Sequence, residues 1–215
     1  MTLGALEGIQ LQITVVQAPE LEPSDLHASK LQETIDSLSS EASTTDIPWK
    51  RGIALEKLGT VYFFTGQFKQ AITTLNLALE AHEESNSPMV TRVYITLGLA
   101  FRSIGQAGQA IATWEQGINL LIDRCIKMIS NEGTLLIKQT NVDHSTLLAD
   151  SRIFSRIRKL CQTDLNFAIL RNNMGVVYNE QGDFGMARKM FEESIEFSPS
   201  TVHYDHPVSN LDLVI

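Results

Sequence analysis

Three stretches of the 215-residue chain repeat the same side-chain types at the same intervals, and this self-similarity constrains the fold more than any single motif. The first is Leu58-Gly59, Tyr62, Gly66, Phe68, Ala71, Leu75 and Ala78. The second is Leu97-Gly98, Phe101, Gly105, Ala107, Ala110, Trp114 and Gly117, and the third is Met174-Gly175, Tyr178, Gly182, Phe184, Ala187, Phe191, Ser194 and Pro199. Counted from the first glycine of each stretch, an aromatic lies 3 residues on, a second glycine 7, an alanine 12 and a large apolar residue 16. Helical periodicity runs through each unit and breaks at the second glycine, so each predicts a helical hairpin. One hairpin cannot bury its apolar face alone, which makes a stack of such hairpins the expected architecture.

Each repeated residue has a local reason. Gly59, Gly98 and Gly175 are expected to let the first helix of a pair approach the second, with Ala71, Ala110 and Ala187 as the facing small residues. Gly66, Gly105 and Gly182 fall where a tight turn needs a permissive backbone. Leu75, Trp114 and Phe191 are expected to wedge against the neighbouring pair. These residues resemble the tetratricopeptide repeat (TPR) family, matching its Leu-Gly, Tyr, Ala, Phe, Ala and Pro pattern almost position for position. The resemblance implies an all-α, TPR-like helical-hairpin solenoid and a non-catalytic protein-binding role. The tail, His203-Tyr-Asp-His-Pro-Val-Ser-Asn-Leu, and the pair Asn172-Asn173 are more weakly similar to the longer repeats of kinesin light chains.

The intervals are uneven. Gly59 to Gly98 is 39 residues and Gly98 to Gly175 is 77, against about 34 for a regular repeat. The reading is therefore three repeats near 52–85, 91–130 and 168–200, with an insert at 131–164 that carries one helix from about Ser145 to Leu160. Residues 118 to 130 continue the second repeat's helix without a breaker. Residues 1–46 read as an N-terminal arm with one helix from about Ser24 to Ser39 and a polar linker, and 201–215 as a cap or the start of another repeat.

Composition narrows the function classes. With 17 basic against 25 acidic residues, a net charge of -8, the chain lacks the clustered cations that nucleic acid demands. No apolar run approaches the ~18 to 20 residues of a membrane span. The apolar start, Met1 to Val16, lacks the positive n-region of a signal peptide, since the first basic residue is Lys30. Two cysteines, Cys125 and Cys161, are too few for a disulfide framework and suit a reducing, cytoplasmic location, where both read as small buried hydrophobes.

No phosphate-binding glycine loop, Gly-x-Ser-x-Gly elbow or His-Glu-x-x-His pair is present, so neither catalysis, cofactor nor metal is expected. His203-x-x-His206 lacks a clear third ligand.

The expected site follows from helix geometry. If Leu-Gly and the aromatic face the second helix, positions three before, one after and four after the first glycine form the opposite stripe. In TPR proteins that stripe looks onto the concave groove. It reads Glu56, Thr60 and Phe63, then Ile95, Leu99 and Arg102, then Asn172, Val176 and Asn179, with Phe64, Arg92 and Glu180 adjoining. Amides to satisfy a peptide backbone beside apolar pockets suit a bound peptide or helix. The alternative is that the apolar members pack against the arm or the inserted helix. The Lys and Asn clamp with which TPR proteins hold chaperone C-termini is missing, its positions carrying Glu56, Thr60, Thr96, Ile169 and Asn173. A secondary basic patch, Arg152, Arg156 and Lys159, shares one helical face opposite Ile153, Ile157 and Leu160. The expected role is an adaptor or assembly factor for a protein partner. Self-association into a homo-oligomer, or a regulatory domain sensing a peptide or ligand, are the competing readings.

Overall fold

The computed structural model describes residues 25–131, 151–161 and 165–198. Eight helices and no strand occur among them: α1 Asp25–Thr44, α2 Pro48–Phe64, α3 Phe68–Glu84, α4 Val90–Ser103, α5 Ala107–Asn131, α6 Ser151–Cys161, α7 Leu165–Glu180 and α8 Phe184–Phe197. The chain divides into two compact units, residues 1–34 and 35–215. The arm before residue 25, residues 132–150 and 162–164, and the tail from 199, with His203 and His206, lie outside the described residues.

Helix α1 runs five residues beyond Ser39, so the polar stretch read as a linker from there is mostly helical. The Ser and Thr residues that suggested a loop donate their hydroxyls back along the helix instead. Thr34 reaches Lys30 at 2.8 Å, and Ser43 and Thr44 both reach Ser40. Pro48 then opens α2, where its missing N–H costs nothing.

The hairpins are α2–α3, α4–α5 and α7–α8. Their turns are alike because one residue in each sits at positive φ: Gly66 at 74°, Gly105 at 77° and Gly182 at 78°. In each, the following N–H donates to the carbonyl of the repeated aromatic, from Gln67 to Tyr62 at 2.8 Å, Gln106 to Phe101 at 2.9 Å and Asp183 to Tyr178 at 2.9 Å. The glycine N–H itself bonds Phe63, Arg102 or Asn179, which completes a Schellman close. No atom would touch a Cβ at Gly105, so Gly105→Ala tests backbone strain alone. Its expected cost is about 1–2 kcal/mol, measured as a shift of the urea unfolding midpoint with the slope unchanged.

The first glycines face something other than the expected alanines. A Cβ on Gly59 would meet Leu75 Cγ at 2.6 Å, on Gly98 Trp114 Nε1 at 2.1 Å, and on Gly175 Phe191 Cε1 at 2.6 Å. Each glycine thus seats the large residue 16 positions on in its own hairpin. Two of these side chains also serve the stack. Leu75 shares a buried cluster with Val93, Leu97 and Ala100 of α4, and Trp114 shares one with Leu170, Met174 and Val177 of α7. The alanines are buried too.

Helix α4 packs against α3, α2 and α7, and α5 packs against α7. The third hairpin therefore docks on the second as its immediate neighbour, although 77 residues separate their first glycines. Helix α6 packs on α5 and α8, both second helices of their hairpins, with Ile157 fully buried. The long α5 is the hub of this half: Ile118, Leu121, Ile122, Cys125 and Ile129 join Ile157, Leu170 and Phe197 in one core.

Candidate functional site

Because α4 lies against both α2 and α7, the three first helices present one continuous face. Two ion pairs cross it. Arg92 at the start of α4 reaches back to Glu56 of α2 at 2.8 Å, and Arg102 at its end forks onto both carboxylate oxygens of Glu180 on α7. Both arginines, one on the expected stripe and one adjoining it, hold neighbouring helices together.

Glu56 is buried against its neighbours. Its second oxygen lies 3.4 Å from Nε2 of the fully buried His82 of α3 and accepts no hydrogen bond. Leu99 and Asn172 are likewise buried, so three members of the expected stripe belong to helix contacts instead of an open surface. Leu99 is part of the α5-centred core and Phe63 bridges the two core clusters, its ring stacking edge-on to Phe64 at 5.4 Å between centroids. Thr60, Ile95, Val176 and Asn179 are half-buried, and Phe64 is 73% exposed. The Thr60 hydroxyl is turned inward onto the Glu56 carbonyl at 2.8 Å.

On α7 the chemistry is concentrated in three consecutive residues. Arg171 is held between Glu193 of α8, 2.9 Å from its Nε, and the charge of Glu115 on α5, with its guanidinium over the Phe167 ring at 5.6 Å. Burial lowers its affinity for the proton from the ordinary guanidinium value, and the two glutamates pull it back. Burial, then Glu115 and Asp183, raise the Tyr178 phenol above its usual range. Asn172 and Asn173 are both buried, Asn173 to 2% exposure, and the amide nitrogen of each lacks a hydrogen-bond partner. Asn173 lies seven residues before Glu180, on the helical face that meets α4. Sequence spacing selected Asn172 and Asn179 and passed over Asn173, which sits one residue off the stripe.

The basic patch is less open than expected. The Arg152 side chain lies outside the described residues, Arg156 is half-buried, and Lys159 is exposed. Arg158 of the same helix pairs with Glu196 of α8 at 2.9 Å. Arg124, beside the buried Cys125, donates to the Ser87 and Pro88 carbonyls at 2.7 and 3.0 Å, so it closes the α3–α4 loop.

Family models described as tetratricopeptide repeat match residues 51–123 and 168–201. These segments contain the hairpins described above and flank the insert. No curated protein matches the chain. Among solved structures, the apo form of RapI is similar at 20% identity and a TM-score of 0.41, over 80% of this chain and 63% of that one. This chain thus spans less than two thirds of RapI. BtubC (BKLC) from P. vanneervenii is similar at 17% identity over 80% of this chain and 72% of its own, with a TM-score of 0.38. Nearly identical TPR-like repeats of a kinesin light chain-type protein from Podosopora anserina are 14% identical over 79% and 88%, also with a TM-score of 0.38.

Proposed function

Because the chain belongs to the tetratricopeptide repeat family, whose repeats are protein–protein interaction modules, we propose that it is a non-catalytic adaptor or assembly factor that captures a peptide segment on the face of α2, α4 and α7. The cytoplasm is the compartment this reading favours. The observation that carries it is the surface left between the two ion pairs, where half-buried Thr60, Ile95, Val176 and Asn179 adjoin the exposed Phe64. Ile95, Val176 and Phe64 offer apolar seats for side chains, and the Asn179 amide can meet a peptide backbone group. Glu56, Arg92, Arg102 and Glu180 set the helix spacing, Leu99 lies in the core beneath, and Thr60, Phe63 and Asn179 shape the surface between them.

Affinity capture with mass spectrometry, comparing wild type, Val176→Arg and Met128→Arg, tests the reading. Met128 is exposed on α5, a second helix, and serves as the control. A specific partner should survive Met128→Arg and be lost with Val176→Arg. Retention of every partner by Val176→Arg, or equal loss with Met128→Arg, would place binding elsewhere.

A further inference from the structure

Six cationic side chains lie on the three first helices, and the four arginines are all neutralised within the fold. Arg51 pairs with Glu84 at 2.7 Å, Arg92 with Glu56, Arg102 with Glu180, and Arg171 with Glu193. The two that remain, Lys50 and Lys57, are both on α2 and exposed, with no carboxylate partner among the described residues, and Lys50 Nζ lies over the Trp49 ring, 5.5 Å from its centroid. They stand seven residues apart, and seven residues beyond Lys57 is Phe64, the most exposed large apolar side chain described. A seven-residue step returns to within about 20° of the same face, so Lys50, Lys57 and Phe64 form one line along the helix, about 10.5 Å between neighbours. Half-exposed Trp49 and half-buried Ile53 and Thr60 border it.

We propose that this line is a docking surface for an acidic amphipathic helix laid lengthwise on α2, with two carboxylates over Lys50 and Lys57 and an apolar side chain against Phe64. Charge complementarity selects the partner. In a chain of net charge -8, two uncompensated cations on one helical line attract acidic segments and repel basic ones. The axial arrangement selects a helix, because carboxylates seven residues apart in a helix repeat the 10.5 Å spacing and keep their apolar neighbours on the same side. The surface shares Phe64 and Thr60 with the peptide face of α2, α4 and α7, but its two lysines lie outside that face, so charge reversal at Lys50 and Lys57 tests it separately.

The probe is a fluorescein-labelled alanine-based helical peptide with two glutamates seven residues apart and a leucine a further seven along, alongside the same peptide with lysines for glutamates. Wild-type protein is expected to bind the acidic peptide saturably and the lysine peptide weakly. Lys50→Glu/Lys57→Glu should weaken the acidic peptide about tenfold and strengthen the lysine peptide, while Phe64→Ala weakens both pairings by several-fold. All three side chains are exposed, so matched circular dichroism and melting curves verify that the variants fold. Absence of saturable binding, equal affinity of wild type for the two peptides, or an unchanged affinity in the charge-reversed variant overturns the proposal.

Discussion

Trp114→Ala is expected to lower the unfolding free energy by about 3–5 kcal/mol, the largest loss from any single side-chain truncation in the stack. The Trp114 ring has no exposed surface, lies over the backbone of Gly98, and donates its indole N–H to the Ile95 carbonyl at 3.2 Å. It also belongs to the core that carries Leu170, Met174 and Val177 of the third hairpin. Truncation therefore removes contacts within one hairpin and between two. Helical repeats derive much of their stability from such interfaces, so the loss should also reduce cooperativity. Far-UV circular dichroism against urea is the measurement. A lower midpoint with a shallower or two-step transition is the expected curve, and a shift under about 1 kcal/mol would show that the indole site collapses onto its neighbours.

The hairpin repeat was legible in the sequence because its determinants are local. Gly66, Gly105 and Gly182 are turn residues whose positive φ depends on a few neighbouring atoms, and the same interval of seven locates all three. The packing partner of the first glycines was less legible. Spacing singles out both the alanine at 12 and the large residue at 16, and only the rotation of one helix on the other decides which meets the glycine. The exposure of the stripe was not legible. Periodicity assigns Glu56, Leu99 and Asn172 to the face opposite the hairpin partner, but the adjacent first helix covers that flank, and no one-helix pattern contains the neighbour. The ion pairs Arg92–Glu56 and Arg102–Glu180 were hidden for the same reason, the latter joining residues 78 apart in sequence. What they leave uncompensated on α2, Lys50 and Lys57, becomes visible only after the pairs are known.

Gly98→Ala should change sign with the residue at 114. In the wild-type background the added methyl would sit 2.1 Å from Trp114 Nε1, tighter than the corresponding contacts at Gly59 and Gly175. The indole cannot retreat without breaking its bond to Ile95 and displacing the core behind it. Overpacking of this kind costs about 1–3 kcal/mol, occasionally more, against a gain of up to about 1 kcal/mol from replacing glycine by alanine within a helix. Net destabilisation of about 2 kcal/mol is expected. In Trp114→Ala the obstructing ring is gone and only the helical gain remains, so the same substitution should stabilise by up to about 1 kcal/mol. The two measurements, completed by the single and double variants in one urea series, give a coupling of about 3 kcal/mol. Equal effects in the two backgrounds would mean that α4 and α5 separate freely at this crossing, and the indole would then not be what fixes the hairpin's closest approach.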